Sequence, residues 1–204
     1  MSIVFIISAP SGSGKSTLVE RLMKRDPRLD FSISVTTRAP RTGEIPGKSY
    51  CFVSREEFLR LRDEDRLLEW AEVFGNFYGT TRDALDAARA EGRDLVLDID
   101  VQGAAQLKKA LPEAVSIFIL PPSRRELEKR LRKRSSDPDE VIHRRLRAAA
   151  DEVQRYQTYD YVLVNDCLDE SFEQLRGVVL AERCRQSRAA ARIGEILTTF
   201  REEQ

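Results

Sequence analysis

Nine consecutive residues, Ala9-Pro10-Ser11-Gly12-Ser13-Gly14-Lys15-Ser16-Thr17, are of the kinds that can grip phosphate. Glycine lets successive backbone N–H groups turn toward one set of oxygens, and a helix that starts at the end of such a loop points its positive end at the same place. Lys15 would reach the outer phosphates, and the Ser16 hydroxyl suits a magnesium ion. An apolar run, Ile3-Val4-Phe5-Ile6-Ile7, precedes the loop, and Thr17-Leu18-Val19-Glu20-Arg21-Leu22-Met23 follows it with helical character. A phosphate-binding loop needs that strand and that helix. Ala9 stands where the strict pattern has glycine, while Gly14-Lys15-Ser16 is intact.

Three further groups could act beside this loop. Ser34 through Glu44, followed by Tyr50, gathers the guanidinium groups of Arg38 and Arg41 with several hydroxyls and a phenol. Arginine forks match phosphate oxygens two at a time, so this region reads as a second anion site, with a solvated basic loop as the competing reading. Glu69 lies in Leu68-Glu69-Trp70-Ala71-Glu72-Val73-Phe74, ahead of Tyr78 and Thr80. A carboxylate only accepts hydrogen bonds, which suits the N1–H and 2-amino edge of guanine, and Ser34 or Thr80 could donate to the guanine carbonyl oxygen. Composition alone favours an outward-pointing strand glutamate at position 69. Asp98 and Asp100 close the apolar stretch that begins at Leu95, and strand-end aspartates beside a phosphate loop commonly serve a magnesium ion or a water bound to it.

The elements that must hold these residues follow from periodicity. Short apolar runs, Ile3 to Ile7, Leu95 to Ile99, Val115 to Ile119 and Tyr161 to Val164, alternate with helical patterns. This predicts an α/β fold with a parallel sheet covered on both faces. Ser54-Arg55-Glu56-Glu57 and Ser123-Arg124-Arg125-Glu126 read as capping boxes, Asp137-Pro138-Asp139-Glu140 as a third helix start, and Ser171 to about Arg188 as a closing amphipathic helix. The last four residues are expected to fray. Between Phe31 and Thr81 the rhythm breaks into short β-like pieces around Ser32 to Val35, Ser49 to Val53 and Leu68 to Phe74, an insertion with its own sheet. From Arg124 to Arg147 the chain carries eight arginines and two lysines.

Composition narrows the function classes. Lys plus Arg and Asp plus Glu both number 34 in 204 residues, so no overall field recruits nucleic acid or an anionic membrane. No apolar run approaches the roughly 20 residues of a membrane helix, and the chain enters its first strand without a signal-like segment. The expected compartment is the cytoplasm. Cys51, Cys167 and Cys184 lack paired spacing and read as reduced, partly buried thiols, and the single histidine, His143, lies in an arginine-rich helical segment, which argues against chemistry built on a histidine triad or a histidine metal cluster.

Taken together, the motifs resemble guanylate kinase. They are Ala9 to Ser16, Thr36-Thr37-Arg38-Ala39-Pro40-Arg41-Thr42-Gly43-Glu44, Phe74-Gly75-Asn76-Phe77-Tyr78-Gly79-Thr80, Leu97-Asp98-Ile99-Asp100-Val101-Gln102-Gly103, Ile119-Leu120-Pro121-Pro122-Ser123 and Val164-Asn165-Asp166. They run nearly end to end in family order. The resemblance implies a three-layer P-loop core (1–33, 82–124 and 148–204), a small mixed β/α GMP-binding subdomain (34–81) and a helical lid (125–147). It implies Mg-dependent phosphoryl transfer from ATP to GMP. ATP would lie on Ser11, Gly12, Ser13, Gly14, Lys15, Ser16 and Thr17. Ser34, Glu69 and Thr80 would read guanine, Arg38, Arg41, Tyr50 and Tyr78 would hold its phosphate, and Glu44, Asp98 and Asp100 would stand around the same nucleotide. Ser16 would bind magnesium, with Asp98 or Asp100 acting through water, and Lys15, Arg130, Arg134 and Arg145 would surround the transferred group. Ser135-Ser136 stand where relatives often have glycine, which bears on the lid hinge. The rival readings are a non-catalytic guanylate-kinase-like binding module and a kinase of another phosphorylated acceptor such as ribose 1,5-bisphosphate. Whether copies of the chain assemble stays open.

Overall fold

Three strands made almost wholly of Val, Leu, Ile and Phe can be buried on both faces only if helices cover both sides of their sheet. The computed structural model, which describes residues 2–41, 43–73, 75–134 and 138–202, shows this arrangement. In chain order the elements are β1 (Val4–Ser8), α1 (Lys15–Arg25), β2 (Leu29–Phe31), β3 (Val35–Thr36), β4 (Cys51–Phe52), α2 (Arg55–Asp63), β5 (Leu67–Val73), β6 (Asn76–Thr81), α3 (Arg82–Ala90), β7 (Asp94–Asp98) and α4 (Val101–Ala110). They continue with β8 (Val115–Leu120), α5 (Arg124–Arg134), α6 (Asp139–Val153), a 3-10 turn (Gln154–Thr158), β9 (Tyr161–Val164), α7 (Leu168–Arg183) and α8 (Gln186–Glu202).

Five strands form a parallel sheet in the order β2-β7-β1-β8-β9, with Val4 opposite Leu95 and Phe5 opposite Val115. One face packs Phe5, Ile7, Val96 and Ile117 against Leu18 and Leu22 of α1 and Phe172, Leu175 and Val179 of α7. The other packs Val4, Ile6, Leu95 and Leu97 against Leu85 and Ala88 of α3 and Ala104 and Leu107 of α4. Side chains as fully buried as Leu18 and Leu22 each contribute about 1.5–3 kcal/mol of apolar transfer. Because β1 lies between β7 and β8, the strand order reverses there. Crevices at the carboxyl ends of strands beside such a reversal are where open parallel sheets bind ligands.

The stretch between β2 and α3 builds a second, mixed sheet in the order β4-β3-β6-β5. Val35, Leu67 and Phe77 pack there with Phe58 and Leu61 of α2, and Phe58 stacks on Phe77 with ring centroids 5.2 Å apart. Helices α5 and α6 pair through Leu127, Leu131, Ile142, Leu146 and Ala149.

Several expectations needed correction. Leu29–Phe31 is an edge strand of the core sheet, too short at three residues to show a period, and the strand expected from Ser32 begins only at Val35. The closing segment is two helices, because α7 stops at Cys184 and α8 starts at Gln186 and continues to Glu202 where fraying was expected. Cys167 and Cys184 are exposed, since they flank the two ends of α7, and Cys51 is half-buried. Ser54 and Ser123 cap as expected, accepting from the N–H groups of Glu57 (3.0 Å) and Glu126 (3.1 Å). Pro138 occupies the N-cap of α6 and makes no side-chain cap. Phe74, Ser135, Ser136, Asp137 and the side chain of Arg134 lie outside the described residues.

Helix α7 is tied to the sheet by buried charge. The Arg183 guanidinium donates to Asp94 Oδ2 at 2.7 Å and pairs with Asp26, while Asp94 Oδ1 accepts from the N–H of Ile3 at 2.8 Å. Removing one partner leaves an uncompensated charge, so Asp94→Ala should lower unfolding stability by about 3 kcal/mol in denaturant titration. The folded fraction should keep its activity.

Candidate active site

The loop after β1 takes its shape from two glycines. Gly12 and Gly14 both adopt φ of +92°, a left-handed conformation that side-chain-bearing residues rarely hold. A Cβ on Gly14 would also overlap the Asn165 amide, whose Nδ2 donates to the Ser13 carbonyl at 2.7 Å. The chain after β9 thereby pins the loop from behind. Ala9 does not share the left-handed conformation, which among the described non-glycine residues occurs only at Asp65, so alanine is tolerated there. Helix α1 starts directly at Lys15, with no side-chain cap and no acidic residue in its first turn. Its N-terminal N–H groups and dipole are left for an anion. Lys15 reaches across the sheet to pair with Asp98 and to donate to the Ile99 carbonyl at 3.3 Å.

Opposite the loop, Arg38 is held in a fixed frame. Its Nη2 bonds both oxygens of Glu44 (2.7 and 3.0 Å), its Nε donates to the Tyr78 hydroxyl (3.2 Å), and its Nη1 donates to the Ala39 carbonyl (2.7 Å). The guanidinium also lies 5.4 Å from the Tyr50 ring centroid. The hydrogen bond from Arg38 holds the Glu44 carboxyl below its ordinary range, and burial pushes the Tyr50 phenol up.

Glu69 does not point outward. It is 4% exposed, follows a register shift after Leu67, lines the cleft with Ala71, and its Oε1 accepts from Thr80 Oγ1 at 2.7 Å, with Thr80 itself wholly buried on β6. The shift separates Leu67, which packs with Phe58, Phe77 and Trp70 in the small sheet, from Glu69 and Ala71 on the cleft face, while Leu68 packs against the core. Burial raises the Glu69 carboxyl to about 7, the Thr80 bonds oppose the rise, and the charge of Asp100 adds to it. Glu152, at the end of α6, is also pushed up to about 7 by burial, with Asp100 adding and Lys15 opposing. Near neutral pH these two acids are partly protonated, which limits the negative charge that incoming phosphates meet.

One cleft of about 860 Å³ joins these parts. Ser11, Lys15, Ser34, Arg41, Tyr50, Glu69, Tyr78, Asp98, Asp100 and Arg145 line it, all residues that the sequence singles out. Arg38, Glu44 and Thr80 stand behind its wall through the bonds given above. Gly12, Ser13 and Gly14 form the loop backbone, and Ser16 and Thr17 are exposed in the first turn of α1. Arg130 is on α5 but bonds Glu126 Oε1 and the Asn165 carbonyl, both at 3.1 Å, and does not line the cleft. The structure adds Leu131 and Arg144 to the lining. Arg144 carried a sequence signal, as Arg145's neighbour in the arginine-rich stretch. Asn165's grip on Ser13 was not legible, because it joins positions 152 residues apart. Among the described residues no group of three His, Cys, Asp or Glu could cage a metal. The Ser16 hydroxyl and the Asp98 and Asp100 carboxylates are hard oxygen donors of the kind that bind magnesium together with phosphate oxygens.

A glycine loop at the strand-order reversal of a parallel sheet, feeding a helix that starts on lysine, defines a P-loop nucleotide-binding protein. The family model described as guanylate kinase matches residues 1–182. A guanylate kinase of Geobacter sulfurreducens is 51% identical over 196 residues, covering 96% of this chain and 97% of that protein. One from Koribacter versatilis is 59% identical over 187 residues, covering 90% and 80%. The crystal structure of guanylate kinase from Anaplasma phagocytophilum superposes with a TM-score of 0.77 at 39% identity, covering 92% of this chain and 89% of that one. The chain belongs to the guanylate kinase family.

The raised Glu69 carboxyl costs stability once it ionises. Below the unfolded value of 4.5 it is neutral in both states; as pH rises toward about 7 the unfolded chain ionises freely while the folded one resists. Glu69→Gln should therefore stabilise the ligand-free protein at pH 8, by up to about 3 kcal/mol, and the gain should narrow toward pH 5. Thermal unfolding at the two pH values checks this.

Proposed function

We propose that this chain transfers the γ-phosphoryl group of ATP to GMP, giving ADP and GDP. One observation carries the reading: an anion-ready loop and a buried carboxylate with no cation bonded to it face the same cleft from opposite sides. The loop fits the donor. The Glu69 carboxylate fits a ligand edge offering two adjacent N–H donors, which are guanine's N1 and N2, and the Ser34 hydroxyl, which lines the same cleft, supplies a donor for the O6 beside them. A ribose bisphosphate would leave Glu69 unmatched, and a binding module would have no use for an uncapped α1 headed by a lysine.

In this reading Ser34, Glu69 and Thr80 select the base, and Arg38, Arg41, Tyr50 and Tyr78 hold the acceptor phosphate, with Glu44 fixing the orientation of Arg38. The main-chain N–H groups of Ser11 to Thr17 hold the donor phosphates. The acceptor attacks through a phosphate oxygen already ionised near neutral pH, so no side chain needs to remove a proton. What the chain must supply is alignment of two anions and positive charge where the bond breaks. Lys15 exchanges Asp98 for the transferring group, and Arg145 and Arg144 approach it from α6. Arg130 reaches it by leaving Glu126 and the Asn165 carbonyl, a movement of the α5–α6 pair that makes this pair the lid, with Arg134 on the same helix. Magnesium, held by Ser16 and through water by Asp98 or Asp100, would supply further positive charge to the phosphate oxygens when bound. One chain supplies every residue named for both nucleotides, so the chemistry needs no second copy. Among the described residues no helix is long and apolar enough to cross a membrane, and we place the reaction in the cytoplasm, where the free cysteines would stay reduced.

Steady-state kinetics by coupled ADP detection, with GMP, AMP and ribose phosphates as acceptors, tests the reading: GMP should be strongly preferred and excess chelator should abolish turnover. Lys15→Ala should lower turnover about 10³-fold with the fold intact by circular dichroism. A variant that kept a tenth of wild-type turnover would refute the role given to Lys15. Glu69→Gln should weaken GMP at least about tenfold and leave ATP nearly unchanged, because a charged acceptor bond is lost on one side of the cleft only. Equal losses for both nucleotides in equilibrium binding count against guanine reading.

A further inference from the structure

Strand β5 is the edge of the small sheet, paired with β6 on one side only. On its other side, the main chain of Trp70 meets a side chain of the core. Gln106 on α4 accepts from the Trp70 N–H at 3.3 Å and donates from Nε2 to the Trp70 carbonyl at 2.7 Å. A primary amide offers a donor and an acceptor side by side, so it completes one ladder position as a neighbouring strand would. Three residues back on the same face of α4 is Gly103, and three further back is Asp100, which caps the helix by accepting from the Gly103 N–H at 2.9 Å.

Gly103 is the position against which Glu69 rests. A Cβ there would overlap Glu69 Oε2, lie 3.0 Å from its Cδ and stand 3.3 Å from Asp100 Oδ1. The backbone at 103 is helical, where alanine is favoured over glycine, so the glycine answers to the approach of Glu69. The two contacts act on consecutive residues of β5. Gln106 fixes the height of the strand at Trp70, and the bare surface at Gly103 lets the adjacent carboxylate lie flat on α4 while Thr80 holds its other oxygen.

We infer that Gly103 and Gln106 are positioning residues for base selection: this face of α4 sets where the Glu69 carboxylate stands, and with it the preference for guanine over bases lacking the 2-amino group. The inference rests on Glu69 being the guanine acceptor. It assigns discrimination to a seam between the core and the small sheet, outside the residues that contact the base. Any side chain at 103 forces Glu69 out of its place, and any loss of the Gln106 amide frees β5 to shift. Because a bonded edge and a bare helix surface are both needed, neither substitution should rescue the other.

The experiment compares Gly103→Ala, Gln106→Leu and Glu69→Gln with the wild type, measuring kcat and KM for GMP, for inosine 5′-monophosphate and for ATP, with thermal unfolding of each. Inosine monophosphate keeps N1–H and O6 and lacks the 2-amino group, so it reads the second bond to Glu69. Gly103→Ala and Gln106→Leu should each raise KM for GMP about tenfold, as expected for one misplaced buried bond, and lower the GMP-over-inosine preference by a similar factor. KM for ATP should stay within about twofold. A general loss of structure would change the melting temperature or all three substrates together, and would leave the ratio between the two acceptors in place. Should Gly103→Ala fail to fold, Gln106→Leu, which keeps side-chain bulk and helix propensity, decides alone. If Glu69→Gln abolishes the preference while the α4 variants retain it, the positioning role is overturned and guanine reading stands. If Glu69→Gln itself leaves the preference intact, both fall.

Discussion

A carboxylate buried without a cation beside it is a costly thing to fold around, and the site depends on one. Glu69 accepts from Thr80, and the charge that bears on it is that of another acid, Asp100. Four other carboxylates follow the opposite rule, while Glu152 is raised by burial as Glu69 is and feels the charge of Lys15. Asp94 and Asp26 are matched by Arg183, Glu44 by Arg38 and Asp98 by Lys15. The exception makes sense as a position completed by a ligand: donors arriving from a base supply what the fold withholds. In the proposed reading stability is given up locally so that a base without those donors finds an unpaired charge, and strong discrimination by hydrogen bonding arises in this way.

In the proposed reaction the two halves of the cleft solve different problems with different materials. On the donor side the groups are backbone N–H groups, a helix end and Lys15, which bind phosphate of any nucleotide and carry no information about the base. On the acceptor side they are buried side chains on short strands, placed to within a hydrogen bond by the small sheet and by α4. The ion pair from Lys15 to Asp98 and the seam from Gln106 to Trp70 join the two halves across the sheet reversal. In the proposed reading the α5–α6 pair carries the third requirement, positive charge delivered when both nucleotides are present, and Arg130 rests meanwhile on Glu126 and the Asn165 carbonyl.

Local chemistry was legible in the sequence and long-range contact was not. Strands β1, β7 and β8 announce themselves because burial on both faces requires continuous apolar runs, and the phosphate loop because glycine, lysine and serine fall at fixed spacing between a strand and a helix. The short β2 carries too few residues to show a period, and the break between α7 and α8 falls within a continuous helical pattern. Glu69 reads as outward from composition alone; a register shift after Leu67 turns Glu69 and Ala71 to the cleft instead, while Leu67 and Trp70 pack in the small sheet. Asn165 behind Gly14, Gly103 beneath Glu69 and Gln106 beside Trp70 are meetings of distant segments with no local signature, and they give the site its precision.

The central claim, that Glu69 accepts the guanine donors as a carboxylate, has a direct thermodynamic signature. A carboxyl with a value of about 7 in the empty cleft is half protonated at pH 7, and a ligand that binds only its ionised form must expel that proton. Calorimetric titration with GMP at pH 7, in two buffers of different ionisation enthalpy, counts the protons released. The wild type should release about 0.5 proton more per GMP bound than Glu69→Gln does. Equal proton release by the two proteins would contradict the account.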